Sequence, residues 1–376
     1  MRVGVFQPTF NVYGGGEFVA ASIANTLAKN GHEVILFTNE KINQTETKNF
    51  LGQRLHSSIK NLVPPSPIQP KTLMDFYANF FRSFILKLKT DIWVDVYSCC
   101  LFPWTNISYI HFPFLNSDNY KPNFPYLKRP FILQTGALPY VFFEKNLFTS
   151  NGKLVIANSK FTADEIEKNS GTASTVLYPP IHSCFFNDKK TKISKKQEKN
   201  LVVTVSRFDP AKGLEIIPYI ASLTDDNIHF AIIGRLHHKK TLLSLQKLIK
   251  KLGLSNRVKL YPNISRSELK KILETAKIYL HTKKGEHFGI SIVEGMAMGC
   301  VPVVHASGGT KEFVPDHLRY QTLFEAAEII TREVLDWSPQ KTMESIKTAE
   351  KFNEENFADN FLKLFNKYIY VNKNFY

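Results

Sequence analysis

The spacing of apolar positions changes twice within residues 1–40. Residues 2–6 form a short apolar run that predicts a strand, and residues 32–38 predict another. Between these runs, apolar side chains recur at helical spacing, at Ala20, Ile23, Ala24, Leu27 and Ala28. The pair Asn30-Gly31 is typical of the end of a helix. The pattern therefore predicts one strand–helix–strand unit.

The same alternation returns further along the chain. Residues 154–157 and 174–177 predict strands on either side of a helix that Ser159 would cap. Further strand and helix patterns alternate at residues 201–206, 228–233, 241–252, 258–261, 267–276 and 278–281, and residues 356–371 predict an aromatic-rich helix. This alternation indicates an α/β fold in which helices cover both faces of parallel sheets.

A lysine-rich stretch without apolar periodicity separates two such regions. The chain has 376 residues, more than a single hydrophobic core usually serves, so two domains are expected. We place the first domain at residues 1–185, a linker at 186–200, the second domain at 201–355 and a C-terminal helical segment at 356–376.

Composition narrows the classes of partner. Forty-eight Lys and Arg residues against 33 Asp and Glu give a formal charge of +15, which favours nucleic acid, an anionic membrane or a phosphorylated substrate as partner. A generally basic surface is the alternative. The four cysteines have no zinc or Cys-x-x-Cys spacing, which indicates reduced thiols in a cytoplasmic protein: Cys99, Cys100, Cys184 and Cys300. We expect neither a signal peptide nor a transmembrane helix.

Residues 72–150 are rich in aromatic and basic side chains. Six aromatic or apolar positions keep helical spacing: Leu73, Phe76, Tyr77, Phe80, Phe81 and Phe84. Arg82, Lys87 and Lys89 lie close to them in sequence. Two interpretations fit this pattern, a basic amphipathic helix in a membrane interface or an ordinary helix on the core of the first domain.

Two glutamates, Glu286 and Glu294, stand eight positions apart on either side of a glycine-containing loop. A helical run, 291–298, follows the loop, so free backbone N–H groups at its start would suit a diphosphate. Glu294 then lies where it can accept hydrogen bonds from a ribose, and Glu286 can reach toward a sugar. A solvated loop before an ordinary amphipathic helix is the competing interpretation.

Two other segments suit phosphate chemistry. Gly14, Gly15 and Gly16 follow the first strand and open the first helix, where a backbone can approach a phosphate closely. They do not fit Gly-x-Gly-x-x-Gly, so a nicotinamide cofactor is not implied. Arg207 and Lys212 follow the first strand of the second domain, where fixed positive charge would stabilise a leaving diphosphate. The alternative interpretation of the three glycines is a simple turn, and that of Arg207 and Lys212 is a pair of solvated surface cations.

Together these segments resemble the retaining glycosyltransferases of family 4, which have the GT-B fold. The resemblance is carried by the glycine loop, by residues 157–161 with 177–180, by the Arg207/Lys212 segment and by residues 286–304. It implies two Rossmann-like domains with parallel sheets facing across a cleft, an acceptor on the first domain and a nucleotide sugar on the second. It also implies that the segment 356–376 crosses back to the first domain.

The resemblance assigns roles to individual residues. It implies four catalytic residues, Glu286, His111, Arg207 and Lys212. It implies that the nucleotide sugar is bound by Gly14, Gly15, Gly16, Arg207, Lys212, Gly234, Tyr261, Phe288, Gly289, Ile290, Ser291 and Glu294. No metal and no cofactor is implied, and the sequence has no Asp-x-Asp motif.

Two positions depart from the family pattern. Family members often have glycine where this chain has His287 and Pro262. We expect His287 to narrow or recharge the sugar pocket. Pro262 puts the usual backbone contacts to the nucleobase in doubt.

The strings Glu-His-Phe-Gly-Ile at 286–290 and Tyr-Ile-His-Phe-Pro at 109–113 look most like mannosyltransferases that elongate lipid-linked oligosaccharides with GDP-mannose. The expected activity is retaining transfer of a hexose to a glycan or polyprenyl-linked acceptor. The expected location is the cytoplasm, peripherally on the inner face of an anionic membrane. A UDP-sugar with a soluble or different lipid acceptor is the alternative. From another class, a non-catalytic basic protein on membranes or nucleic acid remains, although no recognised nucleic-acid module is present.

Overall fold

The computed structural model describes residues 1–10, 14–63, 73–97, 102, 104–113, 152–186, 196 and 199–373. The chain divides into two compact units. Unit 1 consists of Met1–Pro180 together with Glu354–Tyr376, and unit 2 consists of Ile181–Asn353.

Unit 1 contains a parallel sheet whose described strands are β1 (Arg2–Phe6), β2 (Glu33–Phe37), β3 (Lys60–Leu62), β4 (Ile92–Asp95), β5 (Ile107–Ile110), β6 (Leu154–Ala157) and β7 (Thr175–Val176). They lie in the order β3-β2-β1-β4-β5-β6-β7. The strand order reverses direction beside β1, which places a topological switch point between β1 and β4. In open parallel sheets, ligands bind at the carboxyl ends of the strands near such a point.

The helices of unit 1 begin and end where local chemistry requires. They are α1 (Gly15–Lys29), α2 (Gln44–Leu51), α3 (Leu73–Lys87) and α4 (Lys160–Ser170). Ser159 Oγ accepts a hydrogen bond from Thr162 N at 3.1 Å and so caps α4 as the sequence predicts. The same helix ends at Gly171, whose φ of 65° is costly for a side-chain-bearing residue.

Unit 2 repeats the architecture with β8 (Leu201–Val205), β9 (His229–Gly234), β10 (Val258–Pro262), β11 (Ile278–His281), β12 (Val301–His305) and β13 (Arg319–Tyr320). These parallel strands lie in the order β10-β9-β8-β11-β12-β13. Its helices are α5 (Ile216–Ser222), α6 (Lys239–Lys251), α7 (Arg266–Thr275), α8 (Ile290–Ala297), α9 (Leu323–Leu335) and α10 (Pro339–Ala349). The switch point here lies between β8 and β11, the strands that precede Arg207 and Glu286.

The last helix, α11 (Glu354–Lys373), is part of unit 1. Its Phe357 ring lies edge-on to Tyr109, and its Phe365 ring packs against His32. The Tyr368 hydroxyl donates to the backbone oxygen of Gly152 and accepts from Asn106 Nδ2, each at 3.1 Å. Aromatic packing and two hydrogen bonds therefore fix this helix on unit 1.

The predicted fold class, two parallel-sheet α/β domains, is confirmed. Most predicted strands and helices lie within two residues of the observed ones. The predicted linker 186–200 lies within unit 2, which begins at Ile181. Lys196, assigned to that linker for its polarity, is buried, and its Nζ donates to the backbone oxygens of Leu273 (2.9 Å) and Ala276. The remaining residues between 187 and 198 lie outside the described part of the chain.

Within the ranges described above, no helix is both long and apolar enough to cross a lipid bilayer.

We predict that Tyr368→Phe lowers the stability of unit 1 by about 1–2 kcal/mol, because it removes a partly buried hydroxyl with two partners. The matched control is Tyr370→Phe, since the Tyr370 side chain on the same helix is 72% exposed. Urea unfolding, with amide hydrogen exchange of α11 as a local probe, measures both variants. Equal unfolding midpoints and equal exchange rates in the two variants would contradict the proposed docking contacts.

Candidate functional site

The chain segment that follows β8 presents two cations at the carboxyl edge of the sheet in unit 2. Arg207 is exposed, and Lys212 ends a single 3₁₀ turn, Pro210–Lys212. Asp209 Oδ1 accepts from Ala211 N at 2.9 Å and caps this turn. Thr282 Oγ1 donates to the backbone oxygen of Lys212 at 2.8 Å, which ties the turn to the segment after β11.

The loop that carries Glu286 is fixed by its backbone. Glu286 forms an isolated parallel bridge with Gly308, and its backbone oxygen accepts from Gly309 N at 2.8 Å. Gly308 has φ of 82°, and a Cβ there would collide with the Glu286 backbone. Gly285 N also donates to Ser307 Oγ at 2.8 Å. The loop after β12 therefore sets the position of the Glu286 side chain.

The Glu286 carboxylate lies among cations and hydrogen-bond donors. Its Oε2 is 3.1 Å from His281 Nε2, 3.5 Å from Lys212 Nζ and 3.6 Å from Lys283 Nζ. Its Oε1 accepts from His287 N at 3.3 Å. Burial opposes ionisation of this carboxyl, but the charges of Lys212 and Lys283 outweigh it and hold the pKa of Glu286 well below its usual range. Glu286 is therefore an anion at neutral pH.

Burial makes His281 a neutral hydrogen-bond donor. Desolvation lowers the pKa of His281. Because the Glu286 carboxylate can only accept, the proton of a neutral His281 must be on Nε2. The other ring nitrogen, Nδ1, is buried and has no hydrogen-bond partner among the described residues. The pair thus has one defined tautomer.

Glu294, the second glutamate of the motif, forms an ion pair rather than standing free. Arg266 Nη2 donates to Glu294 Oε1 at 3.1 Å, and the Arg266 guanidinium lies 4.9 Å from the centre of the Phe185 ring. Burial raises the pKa of Glu294, while the charge of Arg266 lowers it. One carboxylate oxygen is therefore engaged within the protein, so a ribose would use the other.

The start of α8 places the predicted loop residues in two environments. The Phe288 ring is buried and packs against Phe313 and Phe352, with ring centres 5.2 Å apart in both pairs. Its side chain is therefore part of the core and anchors the loop instead of lining an open pocket. Gly289, with φ of 92°, is the N-cap residue of α8. Ile290 and Ser291 form the start of the helix, and both are partly exposed.

Gly234 and Tyr261 lie on neighbouring strands at the same sheet edge. A Cβ on Gly234 would collide with the backbone oxygen of Ser206, so only glycine fits this close approach. Asn263, with φ of 57°, donates its backbone N–H to Gly234 O at 2.8 Å and accepts from Leu236 N at 2.8 Å. Asn263 directly follows Pro262, the position that departs from the family pattern. The chain therefore turns after Pro262 through an asparagine in the left-handed conformation.

In the glycine loop of unit 1, one predicted contact atom already has a partner. The buried Glu17 carboxylate accepts from Gly14 N at 2.8 Å and from Gln7 Nε2 at 3.2 Å. The Gly14 amide is thus already bonded, and the carboxylate places negative charge where a phosphate was expected. A phosphate bound to the Gly14 amide would have to displace this hydrogen bond. Residues 11–13 of the loop lie outside the described part of the chain.

His111 lies against the same loop. A Cβ on Gly16 would be 3.3 Å from His111 Nε2, so the missing side chain gives the imidazole room. Burial lowers the pKa of His111 to about 4, which leaves it neutral at pH 7. Its Nε2 is buried and has no hydrogen-bond partner in the described structure.

The structure gathers Lys212, Glu286 and Glu294 in unit 2, and it gathers Gly16 and His111 in unit 1. Sequence reasoning missed His281, Lys283 and Arg266. The first two end or follow β11, so the argument that selected Arg207 after β8 could have found them. Arg266 has no such signal, since its role depends on a contact 28 positions away in sequence. Among the residues described, no group of three His, Cys, Asp or Glu side chains could hold a metal ion.

Comparisons with known proteins agree with this geometry. A family model for "Glycosyltransferase Family 4" matches residues 13–183, and one for "Glycosyl transferases group 1" matches residues 185–355. Among solved structures, sucrose-phosphate synthase from Thermosynechococcus elongatus matches with a TM-score of 0.77 and 15% identity, covering 99% of this chain and all (100%) of the other. Anabaena HepE in complex with UDP and glucose matches with a TM-score of 0.73 and 18% identity, over 98% and 100% of the two chains.

Three curated relatives share one name, GDP-Man:Man(3)GlcNAc(2)-PP-Dol alpha-1,2-mannosyltransferase. The Dictyostelium discoideum protein is 27% identical over 68% of this chain and 57% of its own length. The mouse protein is 31% identical over 54% of this chain and 46% of its own length. The chain thus spans about half the length of these two, whereas the human protein is 26% identical over 96% of this chain and 86% of its own length.

The two family models together span nearly the whole chain, one on each side of the boundary between the two units. Because the sequence motifs and both parallel sheets agree with these matches, the chain belongs to the family 4 glycosyltransferases.

Proposed function

We propose that this protein transfers mannose from GDP-mannose to a lipid-linked oligosaccharide with retention of the anomeric configuration. The observation that carries the proposal is the ion pair of Lys212 with the Glu286 carboxylate, whose side chain is only 12% exposed, at the carboxyl edge of the sheet in unit 2. The names of the curated relatives support GDP-mannose and a dolichol-linked acceptor.

The donor nucleotide fits unit 2. Arg207 and Lys212 supply positive charge for the diphosphate, and the start of α8 supplies backbone N–H groups. The free oxygen of Glu294 is the acceptor for a ribose hydroxyl. A uridine nucleotide sugar is the alternative donor, because HepE, which resembles this chain in fold, has been solved in complex with UDP.

The state of Glu286 limits its role. It is ionised, and its Oε2 is already approached by three donors. A carboxylate so engaged is a poor nucleophile, whereas its other oxygen, Oε1, which lies 3.3 Å from His287 N, can also accept from a hydroxyl group of the donor sugar. We therefore assign it to orienting the sugar. The acceptor oxygen then forms a bond to the anomeric carbon on the face from which the phosphate oxygen departs, and the acceptor proton passes to that phosphate.

His111 suits the acceptor side of the reaction. As a neutral imidazole it can hydrogen-bond a sugar hydroxyl without adding charge. It belongs to unit 1, as does the glycine loop, and we propose that unit 1 binds the acceptor. This assignment makes His111 a binding group rather than a strong base.

We further propose that the reaction needs no metal ion and no cofactor. The cations Arg207 and Lys212 can stabilise the charge that develops on the diphosphate, which is the work that Mg²⁺ or Mn²⁺ does in other transferases.

We also propose that unit 1 binds anionic membranes through the second half of α3. Phe81, Phe84 and Ile85 on α3, and Leu88 directly after it, are between 46% and 71% exposed, whereas Ser83 and Leu86 on the helix are buried. This arrangement favours the membrane interpretation of the aromatic segment over the core interpretation. Lys87 and Lys89 lie beside the exposed positions, and each basic group near an anionic surface contributes roughly 1 kcal/mol. The side chains at 73–76 and 80 lie outside the described part.

Purified protein should transfer mannose from GDP-mannose to a Man(3)GlcNAc(2)-diphosphate-lipid acceptor, with an α linkage in the NMR spectrum of the product. Arg207→Ala and Lys212→Ala should each lower turnover by roughly two to three orders of magnitude, the scale for loss of one preorganised charge partner. Lys247→Ala, on the exposed surface of α6, is the control and should keep full turnover. Full turnover in both site variants would refute the diphosphate assignment. Transfer from a UDP-sugar instead of GDP-mannose would refute the donor.

Transfer should continue in excess EDTA at an unchanged rate, because the positive charge at the diphosphate comes from the protein. The measurement compares initial rates before and after chelation, with Mn²⁺ or Mg²⁺ added back. Loss of transfer on chelation and its return with metal would show that the two cations do not replace a metal.

The protein should co-sediment with anionic liposomes at low salt and be released at high salt, since Debye screening weakens surface attraction. Phe81→Ser with Ile85→Ser should weaken binding. The matched control is Phe324→Ser, because Phe324 is a similarly exposed aromatic residue (69%) on α9 of unit 2. If the wild-type protein stays in the supernatant, or if the control weakens binding equally, α3 is not the membrane contact.

A further inference from the structure

One oxygen of Glu286 is surrounded by more hydrogen-bond donors and cations than are required to balance one carboxylate. His281 Nε2, Lys212 Nζ and Lys283 Nζ all lie within 3.6 Å of Oε2. A buried carboxylate needs a partner because an unpaired charge in the interior strongly destabilises a protein. One lysine with the neutral imidazole would already supply one. The second lysine therefore calls for an explanation.

The two lysines differ in how deeply they lie. The side chain of Lys212 is 21% exposed, and that of Lys283 is 9% exposed. Lys212 comes from the 3₁₀ turn after β8, whereas Lys283 stands three positions before Glu286 on the same loop. The outer lysine can turn toward a ligand, while the inner one is held beside the carboxylate.

We propose that Lys283 is a positioning residue that keeps Glu286 paired when Lys212 turns to the diphosphate of the donor. The proposal rests on the proposed function in one respect, namely that Lys212 binds this diphosphate. Without Lys283, donor binding would draw the only remaining lysine away and leave Glu286 buried beside a neutral histidine. Lys283 thereby keeps Glu286 ionised and correctly oriented in the donor-bound state.

The charges that face Glu286 are consistent with this role. Lys212, Lys283 and His281 lie against the carboxylate. The Tyr279 hydroxyl donates to the backbone oxygen of Val205 at 3.0 Å and is close enough for the Glu286 charge to act on it, as Arg207 is for Lys283. Burial lowers the pKa of Lys283, and the Glu286 charge raises it again. The lysines thus exceed the carboxylates at this point, and one lysine can leave without stranding an anion.

The sign of the expected pH effect follows from Glu286. In the native protein its pKa lies below the usual range, so its pairing stabilises the fold at neutral pH and is lost only in acid. With both lysines removed, burial would instead raise the pKa of Glu286. The variant would then gain stability as the pH falls, because Glu286 or its partner His281 takes up a proton.

The first test needs no ligand. Melting temperatures are measured at pH 7.5 and 5.5 for the wild type, Lys212→Met, Lys283→Met and the double variant, each also in a Glu286→Gln background. We expect the double variant at pH 7.5 to lose more than the sum of the single losses, and to recover part of the loss at pH 5.5. Glu286→Gln should abolish both the excess loss and its pH dependence. The proposal would be overturned if the losses in melting temperature were additive and were the same with Glu and with Gln at position 286.

The second test uses GDP as the probe in titration calorimetry. Lys283→Met should weaken GDP binding at pH 7.5 by about tenfold. This factor corresponds to a rise of about one unit in the pKa of Glu286 when GDP binds. The loss should be smaller at pH 5.5 and accompanied by proton uptake, seen as a dependence of the heat on the buffer. Lys283→Arg should restore wild-type binding, which a purely steric role of Lys283 would not predict.

The two tests separate this inference from the proposed function. If Lys283→Met binds GDP as the wild type does, without proton uptake, Lys283 does not have the proposed role. If the wild-type protein itself fails to bind GDP, the proposed donor is wrong, and the melting temperatures alone then decide whether Lys283 and Lys212 are interchangeable partners of Glu286.

Discussion

The buried negative charge of Glu286 is the constraint on which the site in unit 2 depends. An anion removed from water must be surrounded by fixed donors, and here these come from three parts of the chain: the turn after β8, the end of β11 and the loop itself. Bringing them together requires β8 and β11 to be neighbours, which the strand order provides. The order of the strands and the chemistry of the site are therefore one problem rather than two.

Close packing of neighbouring residues holds the loop that carries Glu286 in position. Gly308 lets two loops touch, and the Phe288 ring fills the core under the loop. Gly295 has the same role one layer deeper, since a Cβ there would collide with the Tyr279 ring between α8 and β11. The motif residues thus divide into those that face a ligand and those that hold the loop in place. A motif shared across a family records both kinds of requirement, so membership of the motif alone does not make a side chain a ligand contact.

The periodicity of apolar residues predicted the fold because the period of a strand and that of a helix differ in any environment. Ser159 caps α4, as the local pattern predicts. The partners of the charged residues were harder to predict. Whether Glu294 is free or paired depends on Arg266, and the spacing between them carries no periodic signal. Lys196 shows that polarity in the sequence does not fix burial, because this lysine of a polar stretch is buried with backbone oxygens as partners.

The path of the chain through the two units has a consequence for synthesis. Unit 1 is interrupted after Pro180 and resumes only at Glu354, so unit 2 is an insertion within it. On the ribosome, every residue of unit 2 is made before the helix that completes unit 1. The usual N-terminal-first order of domain folding is therefore unavailable to unit 1. Until α11 emerges, the surfaces around Tyr109 and His32 that it covers are exposed to water and to other chains.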